Sequence, residues 1–126
     1  MLKVTKFGGS SLCDSAGFSR VREIVLADPA RRVVVVSAAG RRHAADHKIT
    51  DLLYLCHAHL TYGVSCADIL AAIRSRFVSI RDELGLKTDL ETEFAALRER
   101  MSKGMPQDEL VSRGEYFSAI LMAEYL

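Results

Sequence analysis

The string Lys6-Phe7-Gly8-Gly9-Ser10-Ser11 places a cation, two residues without side chains and two hydroxyls directly behind a short apolar run, Leu2 to Phe7. This is the chemistry of a phosphate cradle. Glycine lets backbone N–H groups approach an anion with no Cβ in the way. A following helix start adds unpaired donors and a partial positive charge, and Lys6 adds a mobile full one. A Gly-Gly pair behind a strand also makes an ordinary tight turn, and the pattern alone leaves both readings open. The lysine precedes the glycines, unlike the P-loop, and the spacing is not that of the dinucleotide-binding Gly-x-Gly-x-x-Gly.

Three further residues have the types and positions to hold a small polar ligand. Ser37 ends a valine run, where a hydroxyl either terminates a strand or holds a substrate carboxylate or amine. Thr50, in Lys48-Ile49-Thr50-Asp51, opens a helical pattern and reads first as a cap, a role compatible with contact to an anionic group. Glu115 follows Gly114 in Ser112-Arg113-Gly114-Glu115. A lone helix glutamate is usually solvated, but glycine inside a helix costs about 1 kcal/mol and implies a close neighbour. Glu115 is therefore a candidate for gripping a substrate ammonium. His57 and His59 point to different faces of one helix, and His43, Asp46 and His47 read as a solvated loop rather than a chelating set, so no metal site is expected.

Positioning these residues requires alternating strands and helices. Leu2 to Phe7 reads as a strand, with Leu2 and Val4 on the side of Lys6, so that the lysine stem is expected to emerge from the core. Asp14 or Ser15 caps a helix whose inward face is Phe18, Val21 and Val25, stopped by Asp28-Pro29. Val33 to Val36 is a β-branched run of the kind buried on both faces of a parallel sheet. Strand, helix, strand makes one βαβ unit and sets Lys6–Gly9 beside Ser37–Gly40 at the carboxyl edge of the sheet, where such sheets bind ligands. Three apolar stripes follow, from Ile49 to Leu60, Ile69 to Leu84 and Leu90 to Met101, ending near Gly63, Gly85 and Gly104. A last helix is expected from about Gln107, carrying Leu110, Phe117 and Leu121 inward.

With 17 basic and 16 acidic residues the net charge is +1, which gives no reason to expect nucleic acid or an anionic membrane as partner. No apolar run approaches a membrane span, and the start lacks a signal-peptide pattern. Cys13, Cys56 and Cys66, an odd set without Cys-x-x-Cys spacing, fit a reduced, cytoplasmic protein. Two strands are few for a finished α/β domain, and Ser118 to Leu126 stops inside an apolar helical run, so the chain is expected to be part of a longer protein.

Four strings in order, Lys6 to Ser11, Val35-Val36-Ser37-Ala38, Lys48-Ile49-Thr50-Asp51-Leu52-Leu53, and Glu109 to Glu115, resemble the aspartokinases of the amino acid kinase superfamily across essentially the whole chain. The resemblance implies a partial three-layer αβα amino acid kinase fold of the carbamate kinase type, with parallel strands, helical crossovers and a helix-rich second half. Residues 1–126 would be the N-terminal, substrate-binding lobe, with the ATP lobe and the ACT regulatory domains absent. The implied reaction moves the γ-phosphoryl of Mg-ATP to the side-chain carboxylate of L-aspartate, giving 4-phospho-L-aspartate for lysine, threonine and methionine synthesis. Lys6 would be catalytic, placing charge on the transferring phosphoryl. Gly8, Gly9 and Ser10 would bind the ATP phosphates, while Ser37, Thr50 and Glu115 would hold aspartate, the last through its ammonium. Mg2+ would arrive with ATP. Arg41 and Arg42 read as solvated, though close enough to the phosphate turn to help attract ATP. The loop from Ala39 to His47 is longer than in many aspartokinases. The fragment is expected to be inactive alone and the parent to be a homo-oligomer. A kinase of glutamate or N-acetylglutamate, and a non-catalytic amino-acid-binding or assembly module, are the alternatives.

Overall fold

Strand β1 (Lys3–Phe7) pairs in parallel with β2 (Arg31–Val36) in the computed structural model, which describes all residues 1–126. Lys6 lies opposite Val35 and Phe7 opposite Val36, after a one-residue irregularity between Lys3 and Val4. Parallel strands need a crossover, here a 3-10 turn (Gly9–Leu12) and helix α1 (Ser15–Leu26). Asp14 caps α1 by accepting from the Gly17 N–H at 2.8 Å, as its residue type implies. Beyond β2 the chain is helical: α2 (Ile49–Thr61), α3 (Ala67–Glu83), α4 (Leu90–Ser102), α5 (Gln107–Val111) and α6 (Arg113–Tyr125). Gly63, Gly85 and Gly104 follow α2, α3 and α4 with φ of 69°, 68° and 87°, the left-handed conformation in which glycine carries no Cβ penalty.

The core lies where the helices meet. Phe117 of α6 stacks on Phe94 of α4 at 4.3 Å between ring centroids and tilts against Phe77 of α3 at 5.4 Å. Phe18, Val21 and Val25 of α1 are buried as their spacing requires. Helices α1 and α6 both pack on β2 and touch each other, Ser19 sharing a hydrogen bond with the Tyr125 hydroxyl at 3.1 Å.

The expected parallel strands, helical crossover and helix-rich second half are present, with three differences in detail. The valine run is covered on one face only. Phe7 is buried and Val34 and Val36 pack against the core, whereas Val4, Val33 and Val35 are exposed because no element within these 126 residues lies over that side. Lys6 shares the open side, so its stem does not emerge from packed apolar residues. The last helix is also two helices. The chain breaks at Ser112, whose hydroxyl donates to the Glu109 carbonyl at 2.6 Å, and α6 starts afresh where Gly114 must seat against Ala38.

Candidate functional site

The site grows from a contact between main chains. Beyond the paired ends of β1 and β2, the Gly40 N–H donates to the Gly9 carbonyl at 2.8 Å. A Cβ on Gly9 would come within 2.9 Å of the Ala38 carbonyl oxygen, and one on Gly40 within 2.8 Å of the Gly9 carbonyl carbon, so both positions exclude a side chain. Gly8 differs: its backbone is extended and nothing lies within 4 Å of where a Cβ would be, so the protein's own packing does not demand glycine there.

Above this contact opens a cleft of about 530 Å³, lined by Gly9, Ser10, Ser37 to Arg41, Lys48, Thr50 and Glu115. It joins four distant segments. The 3-10 turn supplies Gly9 and Ser10, the end of β2 supplies Ser37, the first turn of α2 supplies Thr50, and the first turn of α6 supplies Glu115. Helix α2 is fixed to the loop by the Ile49 N–H, which donates to the Ala39 carbonyl at 3.0 Å. The glycine before Glu115 has the close neighbour its cost implies: a Cβ on Gly114 would meet the Ala38 Cβ at 2.6 Å, with Ile49 and Leu53 at 3.4 Å. Glu115 is thereby held at the rim, exposed and without an ion pair.

The structure thus brings Gly9, Ser10, Ser37, Thr50 and Glu115 to one cleft, and leaves Lys6 and Gly8 outside its lining, on the exposed end of β1. Thr50 is not the cap of α2. Lys48 occupies that position with extended backbone and no side-chain hydrogen bond, which leaves the Thr50 side chain for the cleft. Arg41 and Lys48 also line it and are in no ion pair, so two cations share the cleft with the single carboxylate of Glu115. Such a set suits a ligand that combines an ammonium with several negative charges.

The loop behind the cleft is not simply solvated. Asp46 accepts from Arg42 three times, from its backbone N–H at 3.0 Å, Nε at 2.7 Å and Nη2 at 3.1 Å. The Arg42 hydrogen bonds, with the charge of Arg76 behind them, hold the Asp46 carboxyl well below the usual carboxylate range, against the opposing effect of burial. Asp46 is therefore committed to arginine and does not join His43 and His47 as a chelating set. Sequence reasoning passed over Arg76. This arginine of α3 is 6% exposed and donates to three backbone carbonyls, those of Cys13, Gly40 and His47. Its place in the pattern was a signal: it lies three residues after Ile73 and four before Ile80, on a buried stripe where a charge needs a reason.

The model of the amino acid kinase family matches residues 1–126. The chain belongs to the amino acid kinase family. Its homologues are aspartokinases. It is 45% identical over 85 residues to aspartokinase 3 of Bacillus subtilis, covering 68% of this chain and 19% of that protein. It is 32% identical to the aspartokinase of Chlamydia muridarum over 97% of this chain and 26% of the relative. Among solved structures, the aspartate kinase of Clostridium acetobutylicum superposes with a TM-score of 0.94 at 41% identity, over 98% of this chain and 28% of that one. Escherichia coli aspartokinase III in complex with aspartate and ADP superposes with a TM-score of 0.73 at 31% identity, over 99% of this chain and 28% of that one. The chain spans about a quarter or less of the length of these amino acid kinases.

Proposed function

We propose that these residues are the aspartate-binding, N-terminal lobe of an aspartokinase, which moves the γ-phosphoryl of ATP to the side-chain carboxylate of L-aspartate. The observation that carries this reading is that one cleft is lined together by the Gly9-Ser10 turn, the hydroxyls of Ser37 and Thr50, the cations Arg41 and Lys48, and the carboxylate of Glu115. A zwitterionic dicarboxylate matches that layout: Glu115 takes the ammonium, and the hydroxyls of Ser37 and Thr50 donate to carboxylate oxygens. That the Escherichia coli relative binds aspartate and ADP supports the assignment.

In this reading the Gly9 and Ser10 N–H groups and the Ser10 hydroxyl meet phosphate oxygens, and the cations of the cleft offset the charge of two anionic reactants. Lys6 belongs here by its mobile four-carbon stem, which places a point charge at the end of β1. A side-chain carboxylate oxygen of aspartate attacks the γ-phosphorus, the new O–P bond forms, and the bond to the β-phosphate oxygen breaks to release ADP. No proton is removed from the nucleophile, so no general base is required. Positioning and charge stabilisation supply the catalysis. Glu115 is the one carboxylate lining the cleft and is assigned to the ammonium, so Mg2+ is assigned to the phosphates of ATP.

A thermal melt of the chain with millimolar L-aspartate tests the binding half of the proposal, because a ligand that binds only the folded state raises the midpoint. A shift by L-aspartate and not by D-aspartate or L-glutamate is expected. Equal shifts by L-aspartate and L-glutamate would remove aspartate as the specific acceptor. Trapping of aspartyl phosphate by hydroxylamine in the complete protein tests the reaction, and this chain alone is expected to yield none.

A further inference from the structure

The three backbone segments that Arg76 grips adjoin three of the four segments that build the cleft. Its Nη2 donates to the Gly40 carbonyl at 2.6 Å and to the Cys13 carbonyl at 3.2 Å, and its Nη1 to the His47 carbonyl at 2.9 Å. Cys13 directly follows the 3-10 turn that carries Gly9 and Ser10, Gly40 directly precedes Arg41, and His47 directly precedes Lys48, the cap of α2, whose first turn carries Thr50. Asp46, 3.6 Å from Nη1, closes the arrangement and is itself held by Arg42. The two terminal nitrogens of one planar, rigid fork on α3 thus tie the proposed phosphate side to the proposed acceptor side. The Arg76 Nε is buried without a partner, so the guanidinium is placed by what its two terminal nitrogens hold rather than by satisfying every donor.

We propose that Arg76 is a positioning residue for phosphoryl transfer, setting the Gly9-Ser10 turn and the Gly40–Thr50 segment at a fixed separation across the cleft without touching substrate. This rests on the aspartokinase reading for its reaction and on the observed carbonyl contacts for its geometry. Two reactants held on opposite sides react at a rate that depends on their mutual placement, and a shift of about 1 Å costs on the order of a hundredfold. Each reactant still binds its own side. Loosening the tie should therefore lower kcat and leave both KM values nearly unchanged.

In the complete enzyme, Arg76→Met should lower kcat at least tenfold, with the KM for ATP and for L-aspartate each within about threefold of the parent. Arg76→Lys, which keeps the charge and loses the fork, should recover part of that loss. Wild-type kcat per folded molecule in both variants, or a loss confined to KM, overturns the proposal. Asp46→Asn loosens the same tie without opening a cavity and decides the matter if neither Arg76 variant folds: a severalfold lower kcat is expected, and a wild-type kcat overturns it. Hydrogen exchange of the Gly40 amide reads the geometry independently of any activity. Its exchange should quicken at least tenfold in Arg76→Met or Asp46→Asn while core amides of α3 keep their protection, and unchanged Gly40 protection overturns the proposal. A parent enzyme that makes no aspartyl phosphate would sink the aspartokinase reading while the exchange result still stands.

Discussion

Glu115 bears the only negative charge among the cleft residues and has no partner within the protein. A group in that situation costs the fold nothing to neutralise and is available to a ligand. Hydrogen bonds to charged groups contribute about 1.5–3 kcal/mol, so Glu115→Gln should weaken L-aspartate binding by roughly ten- to a hundredfold. Its effect on stability should stay within about 0.5 kcal/mol, since the residue is exposed. Calorimetric titration and a urea melt of the same preparation check both parts. A large loss of stability with unchanged affinity would remove Glu115 from the site. The candidate was legible in the sequence because of the glycine beside it. Arg76 was less legible, since its partners are backbone carbonyls up to 63 residues away, and carbonyls leave no trace in a residue pattern.

At the scale of elements, the seat of α6 on the loop after β2 is the joint that presents Glu115. Gly114→Ala would gain up to about 1 kcal/mol of helix propensity. The new methyl would meet the Ala38 Cβ, and overpacking of this kind costs about 1–3 kcal/mol. Net destabilisation in a urea melt is expected. Ala38→Gly in the same background should recover part of it, a coupling that a double-mutant cycle reads directly. The helices were legible because their apolar stripes repeat at helical spacing and a glycine closes each of α2, α3 and α4. The break at Ser112 was not, because α5 and α6 continue one apolar pattern, and the close neighbour of Gly114 is Ala38, 76 residues away in the chain. The valines of β2 misled in a different way. A run of β-branched residues reports that a strand is fit to be buried on both sides, and within this chain only one side is covered.

At the scale of the molecule, Asp46 links the cleft to acid stability. Its folded pKa lies below the unfolded one, chiefly because Arg42 donates to it. The stabilisation is thus fully present above the ordinary aspartate value near about 4 and fades as pH falls below it. Asp46→Asn should differ most from the parent at neutral pH, and the gap between the two stabilities should narrow steadily as pH falls below about 4. Denaturant melts across that range check the sign; a gap that widens on acidification would contradict it. The main-chain contact of Gly9 with Gly40 acts on the same scale. Because the two loops meet through peptide atoms, with the Arg76 fork holding one of them at Gly40, the distance between them works as a fixed calliper that exchanging the side chains lining the cleft does not reset. Redesign of the acceptor, whether by natural drift or in the laboratory, would then proceed by repainting the jaws at Ser37, Arg41 and Thr50 while their opening stays the same.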